Sequence, residues 1–453
     1  MPPPDDDGAG LPHPVWGGRV EVSGGKSNDQ SDTLEKGMSA TNQELAGDRG
    51  PNDSTAVPRV AILGAGPVGL DAALATRARG FAVQVYEQAH VPSGNVRSWG
   101  HVRLFSPWSM NVSPRMSAGL RELGISLEVD PDTSPTGHDL ADQVLDPLWG
   151  LPELKEALRL RTRVVAVGRS GTLKEEEIGT PTRAARPFRI LLEGPDGEES
   201  VEYADVVLDC TGRWGVPNAL GDGGIPAPGE RRLAERIHRR IPDLPAEAED
   251  WSGRTVLVVG AGHSAQTALR DLARLGEGGN GNSPRVLWLI RDSEPTFRIQ
   301  DDPLPLRREL AETAEGLARG EHPRVTTLTG RSVERLDEAE HGVLVTLRDE
   351  GGPREQHRVD SILALTGGVG DHEIYRQLQV HECYATSGPM KLSAAILGAD
   401  AGGDCLTQGS HGADTLVNPE PGFYILGDKS YGRNSTFLLR TGWSQVDEVF
   451  TLL

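Results

Sequence analysis

One pattern of apolar and polar positions occurs twice in this chain: a short apolar run, then a glycine-rich turn, then a helical stretch. The first copy, residues 60–87, reads VAILGAGPVGLDAALATRARGFAVQVYE, and the second, starting at Val256, reads VLVVGAGHSAQTALRDLARLG. An apolar strand follows each helix, and after the second copy it is VLWLIR, ending at Arg291. A single glycine pattern of this length arises by chance, but two copies in this context predict two dinucleotide-binding units.

The first unit is predicted to hold its dinucleotide mainly through the backbone. We expect a strand over Arg59–Leu63, a helix over 70–79 and a strand over Phe81–Tyr86. The three glycines permit a tight turn, a close approach of backbone to pyrophosphate, and close packing of helix on strand. The pyrophosphate then lies at the helix N-terminus, where free amides and the helix dipole favour negative charge. The predicted contacts are Gly64, Ala65, Gly66, Pro67 and Gly69.

The residue at the end of the second strand differs in charge between the two units. Glu87 lies 18 residues after Gly69, where a carboxylate accepts hydrogen bonds from a ribose diol and repels a 2′-phosphate. Arg291 occupies the same place in the second unit and offers planar, bidentate hydrogen bonds to a phosphate. The first unit is therefore predicted to bind FAD or NAD and the second NADPH. The alternative for Arg291 is a solvated charge at a strand end.

Composition restricts the partners and the compartment. The chain has 453 residues, with 46 basic and 66 acidic side chains and a formal charge of −20, which argues against nucleic acid or an anionic membrane as partner. No apolar run approaches the roughly 18 residues of a membrane span. Residues 1–57 are rich in Pro, Asp, Gly and Ser, and we expect a disordered tail there. The widely spaced Cys210, Cys383 and Cys405 suit a reducing cytoplasm.

Motifs outside the glycine turns resemble those of the two-dinucleotide flavoproteins, specifically the flavin-containing monooxygenase superfamily. Residues 92–99, PSGNVRSW, resemble the GGxW segment that wraps the ribityl-phosphate side of FAD, with serine replacing the first glycine. Residues 422–428, GFYILGD, resemble the strand and aspartate that bind the ribityl chain, and Cys210-Thr-Gly resembles an Ala-Thr-Gly domain exit. The resemblance implies FAD contacts at Gly94, Asn95, Trp99, Val165, Thr211, Gly212, Gly427, Asp428 and Thr436.

The same resemblance implies how the domains are arranged. An α/β fold with two Rossmann-like domains is expected, the FAD domain over 58–218 and 371–453 and the NADPH domain over 219–370, inserted between its two parts. A C-terminal helix is expected from about Asn434-Ser-Thr436 to Phe450, with one of these polar residues as N-cap. Its N-terminus would face the flavin. The predicted contacts in the NADPH domain are Gly260, Gly262, His263, Ser264, Ala265, Arg291 and Thr366.

Two bound dinucleotides imply hydride transfer from NADPH to FAD, and the sequence limits where the electrons go next. No CxxC pair is present, which disfavours a dithiol relay. The resemblance implies a monooxygenase that uses molecular oxygen and a flavin hydroperoxide to oxygenate a small molecule at nitrogen, at sulfur or at a ketone. The alternatives are a reductase that passes electrons to a quinone or a redox protein, and a nucleotide sensor without turnover.

Three residues are candidates for chemistry beyond cofactor binding. Asn111, in SPWSMNVS, corresponds to an asparagine that follows the GGxW segment in the family, although an Asx-type turn residue is the alternative. His238, in RLAERIHRRIPD, lies near the family fingerprint histidine, with a solvated helix residue as the alternative. Arg433, together with Lys429, Tyr431 and Arg440, is expected to form a wall over the flavin that recognises an anionic substrate.

Overall fold

The computed structural model describes residues 57–275, 283–299, 301–349, 352–398 and 411–453. Apart from Val57, the predicted disordered tail lies outside the described residues, and so does Cys405. Within the described ranges, no helix has the length and apolar character needed to cross a membrane.

The strands are numbered here in chain order. They are β1 (Arg59–Leu63), β2 (Ala82–Tyr86), β3 (Leu158–Arg159), β4 (Arg163–Arg169), β5 (Phe188–Glu193), β6 (Glu199–Ala204), β7 (Val206–Asp209), β8 (Ile237–His238), β9 (Thr255–Val259), β10 (Arg285–Ile290), β11 (Val325–Thr329), β12 (Arg331–Glu338), β13 (Val343–Asp349), β14 (Arg354–Val359), β15 (Ser361–Ala364) and β16 (Phe423–Ile425).

The α-helices are numbered in the same way. They are α1 (Pro67–Ala78), α2 (Gly94–Arg97), α3 (Trp108–Asn111), α4 (Pro114–Glu122), α5 (Gly137–Leu140), α6 (Asp146–Trp149), α7 (Pro152–Ala157), α8 (Pro181–Ala185), α9 (Ala248–Trp251), α10 (His263–Leu275), α11 (Pro305–Ala318), α12 (Met390–Gly398), α13 (Ala413–Leu416) and α14 (Leu439–Leu452).

Two parallel sheets organise the described residues, each with a glycine turn at one of its central strands. The first has the strand order β16-β7-β1-β2-β3 and the second β11-β10-β9-β15-β8. All strands of the first sheet precede residue 218 or follow residue 371, whereas the second sheet is built from strands between these positions. The predicted α/β class with two Rossmann-like units is confirmed.

Alternating side chains of β1 place the first sheet in the middle of three layers. Val60 and Ile62 pack into the cluster that contains residues of α1 and α14, while Ala61 and Leu63 pack against Phe188 of β5. The antiparallel sheet β4-β5-β6 therefore covers one face and helices cover the other. Burial of both faces explains the continuous apolar run that marks β1 in the sequence.

The second unit repeats this layering. Val256 and Val258 of β9 face the helical layer, while Leu257 and Val259 pack with Val345 of the antiparallel sheet β12-β13-β14. The chain crosses from the first unit to the second near Pro217 and returns near Gly368. These two residues form an isolated antiparallel bridge, which joins the two crossings.

Two helix predictions differ from the structure at the helix start. Helix α1 begins at Pro67, earlier than the expected residue 70, because proline fits the first helical turn, where its missing amide is not needed. Helix α14 begins at Leu439 and has no side-chain cap, so the expected cap at 434–436 was wrong. The Asn434 side chain instead accepts hydrogen bonds from the amide and the hydroxyl of Thr436, at 2.9 and 2.7 Å, in a local turn.

Candidate functional site

The first glycine turn has a geometry that other residues would disturb. Gly64 has φ +96°, and an added Cβ would lie 2.8 Å from the carbonyl oxygen of Cys210. A Cβ on Gly69 would lie 2.0 Å from the carbonyl oxygen of Gly64. At Gly66, by contrast, no atom lies within 4 Å of an added Cβ. Two glycines thus permit close packing within the protein, and Gly66 leaves a face open for a pyrophosphate.

Glu87 is tied to this turn by direct hydrogen bonds. One carboxylate oxygen accepts from the amide of Ala65 at 2.8 Å, and the other accepts from the amide of Ala89 at 2.8 Å. A carboxylate oxygen has a second lone pair, so the same group retains acceptors for ribose hydroxyls. Glu87 therefore holds the turn as well as facing the cavity that the turn lines.

Asp428, after β16, is paired with Arg213, which lies where the chain first crosses from one unit to the other. Its carboxylate lies 2.7 Å from Nε of Arg213, whose Nη1 also donates to the carbonyl oxygens of Gly432 and Asn434 at 3.0 and 3.1 Å. Burial raises the pKa of Asp428, and the positive charge of Arg213 opposes that rise. The pair fixes the turn that the resemblance assigns to the ribityl chain.

Lys429, the next residue, connects that turn to both crossings between the two sheets. Its ammonium lies 2.6 Å from the carboxylate of Asp209 and 3.1 Å from the hydroxyl of Thr211, at the first crossing. It also donates to the carbonyl oxygen of Asp371 at 2.7 Å, at the second crossing. Lys429 and Asp209 are 1% and 0% exposed, so the ion pair is shielded from solvent.

The second glycine turn repeats the geometry of the first. Gly260 has φ +126°, and an added Cβ would lie 2.4 Å from the carbonyl oxygen of Leu365, whereas the space at Gly262 is open. His263 begins α10, and its ring meets that of Phe105 edge-on, with centroids 5.3 Å apart. Burial lowers the pKa of His263, and the nearby Arg307 lowers it further. A neutral imidazole therefore stands at this turn at neutral pH.

The first glycine turn and the two residues directly after the second, His263 and Ser264, line one cavity with a volume of about 540 Å³. That volume is within the range of sites for cofactors and small molecules. The cavity lining includes these residues predicted from sequence: Gly64, Gly66, Pro67, Glu87, Gly94, Asn95, Trp99, Thr211, Gly212, His263, Ser264, Gly427 and Asp428. The open faces at the glycines and the acceptors of Glu87 fit a dinucleotide at the first turn.

The remaining predicted contacts do not line this cavity. Some are packed within the protein, as is the fully buried Ala265, and others are exposed, as is Arg291 just after β10. Val165 lies at an irregularity in the pairing of β4 with β5, beside the lining residue Val164. The residues in this group are Ala65, Gly69, Val165, Gly260, Gly262, Ala265, Arg291, Thr366 and Thr436.

The side chain of Asn111 makes only hydrogen bonds within its own loop. Its amide nitrogen donates to the carbonyl oxygens of Ser106 and Pro107 at 2.8 and 3.0 Å, and its oxygen accepts from the hydroxyl of Ser106 at 2.8 Å. The residue is 1% exposed and does not line the cavity. The structure thus corresponds to the alternative expectation, a turn residue, and its assignment to oxygen chemistry has no support from this geometry.

His238 lies on a strand rather than on the expected helix. It ends β8, which pairs with β15 at the edge of the second sheet, because the apolar Ile237 before it is buried there. His238 is exposed, its ring lies tilted against that of Trp251 with centroids 5.2 Å apart, and it does not line the cavity. The structure does not bring His238 to the cofactor turns.

The expected anion-recognising wall is not formed. Lys429 is used in the buried ion pair, and Tyr431 is 1% exposed, with its ring packed edge-on against Phe437. Arg433 is exposed outside the cavity lining, and its Nε donates to the hydroxyl of Ser387 at 3.2 Å. Side chains of consecutive loop residues point in different directions here, so proximity in sequence did not produce a common surface.

Other residues of the cavity were not predicted from sequence. Arg213 was a detectable candidate, because it directly follows the Thr-Gly of the first crossing. Phe105 and Arg240 belong to loops whose approach to the cavity depends on the packing of the two units. Cys210 also lines the cavity, and burial raises the pKa of its thiol well above the ordinary value, as expected for an inert packing residue.

Comparisons with known proteins agree with this geometry. A family model described as pyridine nucleotide-disulphide oxidoreductase matches residues 58–383. A flavin-containing monooxygenase (GS-OX-like) from Arabidopsis thaliana is 27% identical over 239 residues, 48% of this chain and 48% of that protein. The match therefore spans about half of that relative's length.

Two solved structures share the fold over nearly their whole length. A bacillithiol disulfide reductase from Bacillus cereus superposes with a TM-score of 0.61 at 18% identity, covering 88% of this chain and 98% of that one. An ornithine N-hydroxylase from Kutzneria sp. 744 gives 0.57 at 14% identity, covering 88% and 99%. The predicted resemblance to two-dinucleotide flavoproteins is confirmed, and FAD with a nicotinamide dinucleotide is confirmed as the cofactor pair of that class.

Proposed function

Because the chain belongs to the pyridine nucleotide-disulphide oxidoreductase family, we propose that it is an FAD- and NADPH-dependent monooxygenase that oxygenates a small molecule with molecular oxygen. The observation that carries this proposal is that the first glycine turn and the start of α10, directly after the second turn, line one cavity. FAD at the first turn and NADPH at the second would then both reach this cavity.

The residues around the first turn fit FAD. Gly66 leaves room for the pyrophosphate, Glu87 retains acceptors for the ribose, and Asp428 faces the cavity beside Gly427. Bound FAD supplies the capacity to accept a hydride and, once reduced, to react with oxygen. The protein's own contribution is to orient the ring system and to keep water from it, because Trp99, Phe105 and Leu438 line the same space.

The cysteines support oxygen rather than a dithiol as the electron acceptor. The sequence has no CxxC pair. Cys210 is the described cysteine that lines the cavity, and its pKa is raised by burial, so it stays a protonated thiol. A disulfide relay needs a thiolate close to the flavin. The proposed reaction is oxygenation at nitrogen, at sulfur or at a ketone.

NADPH is proposed over NADH because of Arg291. The side chain is exposed at the end of β10, beside the β9 strand that carries the second glycine turn, and has no partner among the described residues. The equivalent position of the first unit holds Glu87. An unpaired guanidinium at this position suits a 2′-phosphate.

Anaerobic reduction of the flavin by the two nicotinamide cofactors tests this proposal. We expect the purified protein to contain FAD and to be reduced much faster by NADPH than by NADH. Arg291→Gln should reduce that preference by about 10- to 100-fold, the effect of one lost charge-assisted contact. Arg298→Gln is the matched control, since Arg298 is exposed nearby and paired with Glu315. A folded protein without flavin, or equal rates with both cofactors, would contradict the proposal.

A further inference from the structure

The cavity has an opening formed by apolar side chains and one arginine. Trp214 and Val216 line the cavity and are nevertheless 39% and 41% exposed. Arg240 and Ile241, which follow β8, line the same cavity. Concave sites of this kind, largely apolar with a few polar groups, commonly bind small organic molecules.

Arg240 differs from the other charged residues of the lining. Arg213 pairs with Asp428, Arg163 donates to Glu193 at 2.5 Å, and Arg103 donates to the carbonyl oxygen of Ser134. Among the described residues, Arg240 has no hydrogen-bond or ionic partner.

The acidic residues of the lining have partners inside the protein. Glu87 accepts the amide hydrogen bonds described above, and Asp371 accepts from the amide of Glu373 at 3.0 Å. Asp428 pairs with Arg213. Arg240 is therefore the charged residue of the lining for which the described part of the chain supplies neither a hydrogen-bond partner nor an ionic partner.

The strand order separates Arg240 from the adenosine end of the nicotinamide cofactor. In an open parallel sheet a dinucleotide lies across the carboxyl ends of the strands, at the point where the order reverses. In the second sheet this point is β9, with β10 on one side and β15 followed by β8 on the other. Arg291 follows β10, whereas Arg240 follows β8. The two arginines thus stand on opposite sides of the cofactor turn.

We propose that Arg240 binds an anionic group, such as a carboxylate, on the substrate, and that Trp214, Val216 and Ile241 contact the apolar part of the same molecule. This inference rests on the proposed function in assigning the occupant as the substrate. It names the substrate class as small organic anions with an apolar body. The recognition differs from the anion wall expected from Lys429, Tyr431, Arg433 and Arg440, because none of these four residues lines the cavity.

Equilibrium binding of benzoate and benzamide to the oxidised holoenzyme tests the inference. The two probes share an apolar ring and differ in charge, and the change in the flavin absorption spectrum reports occupancy without turnover. We expect benzoate to bind more tightly than benzamide at neutral pH, and Arg240→Gln to weaken benzoate binding by about 10- to 100-fold. Benzamide binding should be unchanged, and Arg240→Lys should restore part of the preference for benzoate.

The matched control is Arg236→Gln. Arg236 is exposed four residues earlier, lies outside the cavity lining, and has no side-chain partner among the described residues. It should leave benzoate binding unchanged. The inference is overturned if benzoate does not bind, if it binds no better than benzamide, or if Arg240→Gln keeps the preference.

A further measurement separates this inference from the proposed function. If Arg240→Gln weakens NADP⁺ binding to the same extent, Arg240 belongs to the cofactor site and the inference is wrong. Failure of the proposed function would instead appear as absent flavin or absent reduction by NADPH in the wild type, and those readouts do not depend on the probe anions.

Discussion

At the scale of single residues, the cofactor turns depend on neighbours far apart in sequence. Glu87 was expected to bind a ribose, and in the structure it also holds the amide of Ala65, 22 residues earlier. Its position after β2 was readable from the strand pattern, but its second role was not, because that contact exists only when β1 and β2 pair. The pairing of Asp428 with Arg213 was hidden for the same reason.

The buried imidazole at the second turn predicts a pH dependence of stability. Burial lowers the pKa of His263 in the folded protein, while the unfolded chain takes up a proton near pH 6.5. Below that pH the unfolded state binds more protons than the folded state, so the free energy of unfolding falls as the pH decreases, by at most about 1.4 kcal/mol per pH unit from this group. Above pH 6.5 this group adds no slope.

We therefore expect His263→Gln to lose less stability than the wild type between pH 7 and pH 5.5. Urea-induced unfolding at both pH values measures the difference. An equal loss of stability in the two proteins would show that the imidazole is protonated alike in the folded and unfolded states.

At the scale of elements, each glycine turn contains a glycine that packs closely against the protein and another that leaves space for a ligand. Gly64→Ala forces a side chain at φ +96° and places its Cβ 2.8 Å from a backbone oxygen. We expect a loss of about 1–3 kcal/mol in the free energy of unfolding from backbone strain alone. Gly66→Ala meets no atom within 4 Å, so the protein without cofactor should keep its stability.

Gly66→Ala should affect FAD content rather than the stability of the protein without cofactor. Gly66→Ala occupies the face that approaches the pyrophosphate, so we expect a well-folded protein that retains much less FAD. The thermal midpoint of the apoprotein and the flavin absorbance of the purified protein are the two measurements. Full FAD content in Gly66→Ala would place the pyrophosphate elsewhere.

Local sequence patterns correctly predicted the strands and helices at the two turns. They failed where contacts between distant residues determine the secondary structure. Strands β1, β7 and β9 are apolar runs buried on both faces, and such runs are visible in sequence. A helix residue was one expectation for His238, yet Ile237 and His238 form a short strand because they pair with β15. The start of α14 was predicted too early. The side chain of Asn434 accepts hydrogen bonds from Thr436 in a local turn, and a helix cap would show the same residue pattern in sequence.

At the scale of the whole molecule, the chain crosses between the two units twice, and both crossings contact the buried ion pair of Lys429 and Asp209. Lys429 contacts Asp209 and Thr211 at the first crossing and the backbone of Asp371 at the second. Replacing one partner leaves the other charge buried without compensation, which costs about 3–5 kcal/mol. The same residue follows Asp428, so the position of the second unit is coupled to the turn for which we propose contact with FAD.

We expect Lys429→Met to reduce the free energy of unfolding by about 3–5 kcal/mol. The double variant Lys429→Met with Asp209→Asn removes both charges and should recover part of that loss. Chemical denaturation of the wild type and of the single and double variants measures the coupling. A loss below about 1 kcal/mol in Lys429→Met, the effect typical of an exposed pair, would contradict a role for this ion pair in holding the crossings.

The central claim is that electrons pass within one cavity from NADPH to FAD and then to molecular oxygen. The most direct measurement is stopped-flow mixing of the NADPH-reduced holoenzyme with oxygenated buffer while the flavin spectrum is followed. We predict a long-lived species that absorbs between the bands of reduced and oxidised flavin, and its decay should accelerate when a substrate is added. An immediate return to oxidised flavin, together with brisk reduction of a quinone, would contradict the claim and identify a reductase.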